Sequence, residues 1–439
     1  MKDTPLARNE MQAKITKYVN TMKKSEEERF VEERKTDSIS EDWKALRLGD
    51  SVECEKGRRP EKLFEFYKNG YLPYLTAEYF REKVAKQFVD VENERGVVRV
   101  SSEDIVLIWD GSNAGDVFTG LEGVLASTMI KIEPNGQLTK PFLYYFLKTK
   151  FTDLNEKTTG STIPHVSKTV FENLIILQPS LPEQQKTAKV LGTIQRAVGQ
   201  QDKIIEAAKN LKKSLMQKLF IEGLGHTEFK ETEIGQIPAN WGVVRLGDVG
   251  IFQYGYTTSA IEDRTGVKFL RITDIQGEGN IIWENVPYCK LLENELEKYR
   301  LAEGDILFAR IGATTGKTCI VESPPISTFG SYLIRLQIKE KSKFSPKFIY
   351  YFMNTANYWT WINANKEGKL KKGISASFLK TLPIPLPPLD EQQEVARILS
   401  TVDKKIEVEE KRKATFNELF KTMLHRLMTG EIRLKDVEV

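Results

Sequence analysis

Glycine-marked loops in both halves of the chain carry basic, polar and aromatic side chains. Arginine and asparagine can donate to base edges, and lysine amines fix the register of a protein on the phosphate backbone. Candidates for phosphate contacts are Lys56, Lys168, Lys317 and Lys371. Candidates for base edges are Arg58, Arg59, Asn113, His165, Tyr254, Tyr256 and Arg310, and Thr162, Thr257, Thr314, Lys369 and Lys372 complete the set.

These residues fall into three loop regions per half. The regions are 56–60, 110–113 and 159–168 in the first half, and 253–258, 310–317 and 366–373 in the second. They match in position but differ in side chains, as expected if each half recognises a different DNA sequence. The competing interpretation of any single residue is an ordinary solvated turn.

Motifs that would support catalysis are incomplete. Gly312-Ala-Thr-Thr-Gly-Lys317 resembles a phosphate-binding loop but has three residues between its glycines where four are required. Ser323-Pro-Pro-Ile326 is similar to a motif of amino-methyltransferases, yet isoleucine cannot stack on a flipped base. His165 has no accompanying Ser or Cys nucleophile motif. We therefore expect no enzymatic activity within this chain.

Composition limits the classes of protein to which this chain can belong. The 439 residues carry 65 Lys and Arg against 61 Asp and Glu, a formal net charge of +4, so a DNA-binding surface requires local clusters of cations. Three cysteines without CxxC spacing and three histidines predict neither a zinc site nor a disulfide framework. No apolar run reaches the ~20 residues of a membrane span, and the polar N-terminus lacks a signal-peptide core, so we expect a cytoplasmic protein.

The elements that position these loops occur twice. Ser180-Leu-Pro-Glu-Gln-Gln185 returns as Pro388-Leu-Asp-Glu-Gln-Gln393, with an offset of 393 − 185 = 208 residues. Upstream, residues 43–50 return as 241–248, and residues 142–147 return as 348–353. Each half is therefore predicted to be one globular unit followed by one long helix.

Both long helices show the apolar spacing of a coiled coil, in which intervals of three and four residues alternate. The predicted pairing residues are Ile194, Ala197, Ile204, Ala208, Leu211 and Leu215 in the first helix, and Leu399, Val402, Ile406, Phe416, Phe420, Met423 and Leu427 in the second. Glu409 and Lys413 interrupt the second series. If the halves are related by a two-fold axis, the two helices pair antiparallel.

The predicted fold is α+β, with two similar globular domains separated by two long helices in an antiparallel coiled coil and a pseudo-two-fold internal repeat. The expected boundaries are a charged N-terminal arm or helix at 1–38, a first domain at 39–179, a long helix at 180–223, a second domain with its entry linker at 224–388, and a second long helix with a C-terminal tail at 389–439.

This arrangement resembles the specificity subunit of Type I restriction–modification systems over residues 36–435. The most specific matching segments are Leu181-Pro-Glu-Gln-Gln185, Leu389-Asp-Glu-Gln-Gln393, residues 232–241 and residues 427–434. The resemblance implies two target-recognition domains, each reading one half of an interrupted, asymmetric sequence in double-stranded DNA. It also implies that the helices set the spacing and dock two modification subunits.

The partners implied by the resemblance would carry the chemistry. Modification subunits would hold S-adenosylmethionine and methylate adenine N6, and restriction subunits would use ATP and Mg²⁺ to cut DNA. No cofactor, metal or membrane contact is expected for this chain itself. Two alternatives stay open at this point: a coiled-coil scaffold that binds only proteins, and a solo DNA methyltransferase, for which a cofactor loop and an aromatic after Pro325 would be needed.

Overall fold

The structure, a computed structural model, describes residues 43–160, 163–277, 279–364 and 373–437. It divides into two compact units, one containing the chain up to Gln200 together with the segment from Lys413 onward, and the other containing Gln201–Arg412. The predicted N-terminal arm at 1–38 and the candidates Thr162, Lys369, Lys371 and Lys372 lie outside the described residues.

The described residues of the first unit form two four-stranded sheets and one separate strand pair. Its strands are β1 (Lys44–Arg47), β2 (Val52–Lys56), β3 (Tyr71–Leu75), β4 (Phe88–Asp90), β5 (Arg99–Val100), β6 (Ile105–Ile108), β7 (Val117–Phe118), β8 (Gly123–Leu125), β9 (Met129–Pro134) and β10 (Ile175–Gln178). One sheet has the antiparallel order β2-β9-β6-β7, and the other has the order β4-β3-β8-β5 with β3 and β8 parallel. β1 pairs with β10. The short helices are Ala77–Glu82, Lys140–Thr149, Phe151–Glu156 and Lys168–Glu172, with a 3-10 turn at Leu48–Asp50.

The second unit has a related set of strands. They are β11 (Phe229–Thr232), β12 (Gly235–Pro238), β13 (Gly242–Arg245), β14 (Gly250–Tyr254), β15 (Val267–Leu270), β16 (Ile275–Gln276), β17 (Asn280–Ile281), β18 (Tyr288–Cys289), β19 (Ile306–Ala309), β20 (Thr318–Ile320), β21 (Ser327–Phe329), β22 (Leu333–Ile338) and β23 (Pro383–Leu386). The short helices are Leu246–Val249, Glu293–Tyr299, Pro346–Phe352, Ala356–Ala364 and Ala376–Lys380, with 3-10 turns at Ile272–Asp274 and Trp283–Asn285.

The sheets of the second unit repeat the topology of the first. The order β14-β22-β19-β20 matches β2-β9-β6-β7, and the order β18-β15-β21, with β15 and β21 parallel, matches β4-β3-β8. β13 pairs with β23 as β1 pairs with β10. β5 has no counterpart in the three-stranded sheet, and the pairs β11-β12 and β16-β17 have no counterpart among the described strands of the first unit. The shared strand orders confirm the predicted α+β class and internal repeat.

Continuous apolar runs form the buried inner strands of both domains. All four residues of β6 and all four of β19 are buried, because a strand covered on both faces has no polar side to present. The helix Lys140–Thr149 buries every residue from Phe142 to Leu147, and Pro346–Phe352 buries four aromatic or aliphatic side chains in the other domain. These helices place the aromatic repeat seen in the sequence within the two cores.

The two long helices span Leu181–Ile221, with 41 residues, and Leu389–Met428, with 40 residues. Carboxylates occupy the first turn of each, where free N–H groups and the positive end of the helix dipole favour negative charge. Gly223 and Gly430 follow the helix ends with φ of 63° and 79°, the left-handed conformation that terminates many helices.

The repeated Glu-Gln-Gln motif joins each long helix to its domain. Gln184 accepts a hydrogen bond from Thr139 N at 2.8 Å and donates to Pro179 O at 3.0 Å. Gln392 accepts from Ser345 N at 2.9 Å and donates to Pro387 O at 2.9 Å in the same way. Because both amides are almost completely buried, each satisfies backbone groups that water cannot reach.

Helix pairing is antiparallel within the second unit. Gln201 donates to Glu409, whereas Lys212, further along the first helix, contacts Asp403, which lies earlier in the second, at 2.7 Å. Met216 and Leu219 share a core with Val395 and Leu399. In the first unit, Ala188 and Leu191 share a core with Leu427 and Met428. The predicted antiparallel coiled coil is confirmed.

One part of the predicted pairing series requires correction. Ile204 and Leu211 are 43% and 53% exposed, and the buried positions beside them are Ile205 and Lys212. The sequence favours Leu211 because a lysine is an unusual pairing residue. Lys212 nevertheless faces the partner helix, where its amine pairs with a carboxylate and its stem can lie along apolar surface.

Candidate nucleic-acid interface

Three loops of the first domain meet at one carboxylate. Asp110, which follows β6, accepts from Lys56 Nζ at 3.1 Å and lies 3.3 Å from His165 Nδ1. His165 also forms backbone bridges with Asp110 and Thr159. The structure therefore brings together one residue from each predicted loop region, and we call Lys56, Asp110 and His165 the first loop cluster.

The other first-domain candidates lie around this cluster. Arg58 and Arg59 are exposed, and no hydrogen bond of theirs is evident among the described residues. Asn113 is half-buried and accepts from Ser112 Oγ at 3.3 Å. Lys168 begins a short helix, is 79% exposed and lies 3.6 Å from Glu172. The arginines and Lys168 thus present exposed side chains, whereas Asn113 is partly engaged within its own loop.

The second domain brings the corresponding loops together with different chemistry. The guanidinium of Arg310 lies 4.8 Å from the ring centroid of Tyr254, and Tyr254 Oη accepts from Ala376 N at 3.0 Å. Ile311 bridges to Gly373. We call Tyr254, Arg310 and Ala376 the second loop cluster. A stacked arginine retains its donors while its plane is held, which suits bidentate recognition.

Arg310 is only partly satisfied by the protein. Its Nη1 donates to Ser331 O at 3.4 Å, and its Nε is buried without a hydrogen-bond acceptor in the described part of the chain. Buried donors without acceptors are rare in folded proteins. This residue therefore has unused hydrogen-bonding capacity within the second loop cluster.

Tyr256 is held by an acid from outside the loops. Its hydroxyl donates to the carboxylate of Glu295 at 2.8 Å, and this hydrogen bond raises the pKa of Tyr256 above its ordinary value. Sequence reasoning did not identify Glu295, because it lies 39 residues away, in the helix Glu293–Tyr299. The ring is half-buried and lies 5.3 Å from that of Tyr299, and the hydroxyl proton is engaged.

Lys317 and Thr314 line a separate cavity of about 980 Å³ beside the last turns of the first long helix. Lys209 and Lys213 line the same cavity, together with Trp359. Lys317 Nζ donates to Ile275 O at 3.0 Å, and Thr314 is exposed, as is Thr257. Lys317 and Thr314 thus contribute to a basic groove in which the helix also takes part.

The side chains of the first loop cluster suit binding. Lys56, Asp110 and His165 lack a Ser or Cys nucleophile. Asp110 lies in the predicted loop region 110–113 but was not among the individual candidate residues. Across the residues that the structure describes, no group of three or more His, Cys, Asp and Glu is arranged to hold a metal. No helix in the same residues is long and apolar enough to cross a membrane.

Comparison with known proteins matches this chain to one family. The family described as the Type I restriction modification DNA specificity domain matches residues 40–210 and again residues 238–418. The MjaVIII Type I restriction enzyme specificity subunit of Methanocaldococcus jannaschii is 36% identical over 416 residues, covering 91% of this chain and 95% of that protein. The EcoBI specificity subunit of Escherichia coli is 22% identical over 355 residues, covering 76% and 74%.

Solved structures agree at the level of the fold. The crystal structure of a Type I restriction-modification S subunit from M. genitalium matches with a TM-score of 0.61 at 16% identity, covering 89% of this chain and 98% of that one. A chain from a structure of Type I R-M complex assembly matches with a TM-score of 0.52 at 15% identity, covering 90% and 100%.

Proposed function

Because this chain belongs to the family of Type I restriction–modification DNA specificity subunits, we propose that each of its loop clusters reads one half of an interrupted DNA target. The chain is a non-catalytic specificity subunit, and the alternatives of a protein-only scaffold and a solo methyltransferase are not favoured. One observation supports the assignment to the loop clusters most directly. The two domains share a topology, but the loops of the first bring together Lys56, Asp110 and His165, whereas those of the second bring together Tyr254 and Arg310.

The proposed roles follow from exposure and charge. Arg58, Arg59 and Arg310 are the base-edge donors, since arginine presents paired N–H groups to guanine. His165, Asn113, Tyr254 and Tyr256 contribute polar or aromatic contacts beside them. Lys56, Lys168 and Lys317 contact phosphates and fix register without reading sequence.

The proposed role of the paired long helices is to set the gap between the half-sites and to dock two modification subunits. Those partners would bind S-adenosylmethionine and methylate adenine N6, and restriction subunits would supply ATP- and Mg²⁺-dependent cleavage. This chain would hold no cofactor of its own. Acting on the cell's own DNA, it would work in the cytoplasm.

Genome-wide methylation tests this function. The chain is co-expressed with its modification subunit in a host that lacks other adenine methyltransferases, and N6-methyladenine is mapped by long-read sequencing. We expect methylation at one interrupted, asymmetric motif, and no such methylation when this chain is omitted. A stable complex without a methylated motif, or the same motif without this chain, would refute the proposal.

The assignment of Arg58 to a base edge and of Lys56 to a phosphate is tested with two variants. Arg58→Ala should relax one base position at a cost of roughly 1–3 kcal/mol, while Lys56→Ala should weaken binding to all sequences alike. Binding measured over a salt series separates the two effects, because losing a phosphate contact flattens the salt dependence. Identical behaviour of both variants on every site would show that the roles are wrongly divided.

A further inference from the structure

A short turn in each domain lies beside the loop clusters and was not among the sequence candidates. The turns comprise residues 126–129 and 330–333, and the last N–H of each donates to the first carbonyl at 3.0 Å and 2.9 Å. Their central residues are therefore Ser127–Thr128 and Ser331–Tyr332. Each turn enters one of the inner strands, β9 or β22, at its first residue.

Backbone hydrogen bonds hold the first turn between two loops of the first cluster. Thr128 O accepts from Trp109 N at 2.8 Å and from Asp110 N at 3.0 Å. On the other side, Gly57 N donates to Met129 O at 2.9 Å. The turn is thus attached to the loop that carries Asp110 and to the loop that follows Lys56.

The second turn is held in the same way. Tyr332 O accepts from Arg310 N at 3.0 Å, and Ser331 N donates to Tyr256 O at 3.0 Å. Gly255 N donates to Leu333 O at 3.1 Å, as Gly57 does in the first domain. The turn therefore shares its backbone hydrogen bonds with two loops that supply candidate base contacts.

Close packing of the turns explains the matched glycines of the first loops. A Cβ added to Gly57 would lie 2.2 Å from Ala126 O, and one added to Gly255 would lie 2.1 Å from Gly330 O. Real Cβ atoms do not approach a carbonyl oxygen so closely, so both positions require glycine for space. The glycines place each turn directly against its loop cluster.

The side chains of the turns point away from this packing. Ser127 and Thr128 are exposed, and Tyr332 is 57% exposed although its backbone is held on both sides. A threonine offers a hydroxyl and a methyl group, and a tyrosine offers a larger ring with a hydroxyl. Equivalent positions thus present contact groups of different size and reach.

We propose that residues 127–128 and 331–332 are a fourth recognition segment, in which Thr128 and Tyr332 help to specify the first and second half-sites. The inference rests on the proposed function, and it adds residues outside the three predicted loop regions. Thr128 contacts a base edge through its hydroxyl or a thymine methyl through its own methyl group. Tyr332 contacts a base through its ring edge or its hydroxyl, and its held backbone limits the entropy lost on binding.

The test is methylation mapping of Tyr332→Ala, Tyr332→Phe and Thr128→Ala in the co-expression host. Tyr332→Ala should relax one base position of one half-site and lower discrimination there by roughly 5- to 150-fold. Thr128→Ala should relax a position in the other half-site, so each variant has an unchanged half-site as its internal control. Tyr332→Phe reports whether the hydroxyl or the ring carries the contact.

Ile326→Ala is the matched control, because Ile326 lies in the same domain and is also 57% exposed. An unchanged motif in Tyr332→Ala and Thr128→Ala would overturn the inference. A uniform loss of methylation at all sites without relaxed positions would also overturn it, since that result indicates a phosphate contact. A wild-type chain that yields no interrupted motif would instead reject the proposed function.

Discussion

Glu183 and Glu391 occupy equivalent positions in the two halves of the chain, but different groups donate hydrogen bonds to them. Glu183 accepts from Arg433 Nε at 2.8 Å, from Leu434 N at 3.1 Å and from Trp43 Nε1 at 3.4 Å. Glu391 accepts from Trp241 Nε1 at 3.0 Å and Leu224 N at 2.9 Å, and lies 2.8 Å from His226 Nε2. In both halves the glutamate accepts from a tryptophan and from a backbone N–H. The basic group beside it is an arginine in the first half and a histidine in the second.

Chemistry also differs where the equivalent tyrosines meet the long helices. Tyr145 Oη donates to Gln195 at 3.1 Å, and its ring packs 6.1 Å from that of Phe420. Tyr351 Oη donates to Asp403 at 2.6 Å, and Asp403 pairs with Lys212 at 2.7 Å. With the offset of 208, Gln195 corresponds to Asp403 and Phe420 corresponds to Lys212. The same site accepts an apolar contact or an ion pair, so backbone topology does not dictate side-chain chemistry.

The largest effects are expected when Glu183 and Glu391, the equivalent glutamates of the two halves, are replaced. Glu183→Ala should lower the free energy of unfolding of the first unit by about 3–5 kcal/mol, because it removes the buried carboxylate that accepts from a guanidinium and from two N–H donors. Glu391→Ala should cost less, about 1–3 kcal/mol, because the groups that lose their acceptor there do not include a guanidinium. Hydrogen exchange measured by mass spectrometry reports each unit separately. Equal costs would show that the arginine adds nothing to the first junction.

A second test concerns Gln201 and Glu409, which occupy equivalent positions in the two long helices and contact each other. Gln201 and Glu409 differ by 409 − 201 = 208, the offset of the whole repeat, and Gln201 donates to the buried Glu409. Gln201→Leu should lower the urea midpoint, because it removes a donor from that carboxylate. Exchanging the two residues (Gln201→Glu with Glu409→Gln) should recover part of the loss. No recovery would mean that Lys405 and Arg412 alone determine where the carboxylate is placed.

Equivalent buried aspartates predict opposite responses to acid. Burial alone would raise the pKa of Asp104, but hydrogen bonds from Ser101, Lys140 and Lys131 outweigh burial and hold its pKa below the ordinary 3.8. In Asp305, burial dominates over the contacts with Ala302 N and Arg335 and raises the pKa.

The sign of each effect follows from proton linkage. The stability contributed by Asp104 is present above its unfolded pKa and is lost as the pH falls below about 4. Asp305 takes up its proton at a higher pH in the folded state, so its contribution improves as the pH falls from neutrality toward 4. Hydrogen exchange of residues 105–108 and 306–309, corrected for intrinsic rates, should show earlier acid opening in the first domain. The opposite order would contradict this assignment.

The smallest effect is expected at the exposed ion pair of the first loop cluster. Lys56 is 53% exposed, and exposed pairs contribute about 0–1 kcal/mol. Lys56→Ala should therefore leave the urea midpoint almost unchanged while it reduces DNA binding. A large loss of stability would assign Lys56 a structural role.

Sequence periodicity predicted the repeat, the fold class and the pairing of the long helices, because the features that determine them are local. The repeated Glu-Gln-Gln motif, the apolar inner strands and the alternating helix spacing indicated the repeat, the α+β class and the helix pairing. The error at Ile204 and Leu211 arose because apolar spacing cannot reveal that Lys212 finds Asp403 on the other helix.

The loop clusters could be predicted only as groups. Glu295 and the turn residues Thr128 and Tyr332 are defined by hydrogen bonds between distant segments, and neither composition nor spacing contains such contacts. Asp110 lay within a predicted loop, but its contacts with Lys56 and His165 could not be read from the sequence. The role of each predicted DNA-contacting residue stays a prediction, because it depends on where a duplex meets the loops.

Domain replacement measures the central claim, that each domain reads its own half-site, most directly. Residues 237–388 are exchanged for the matching domain of the M. jannaschii relative, and the motif methylated with the modification subunit is compared with that of the unaltered chain. The account predicts that one half-site changes while the other half-site and the gap remain. Simultaneous change of both half-sites, or of neither, in a chimaera that assembles and methylates DNA would contradict it.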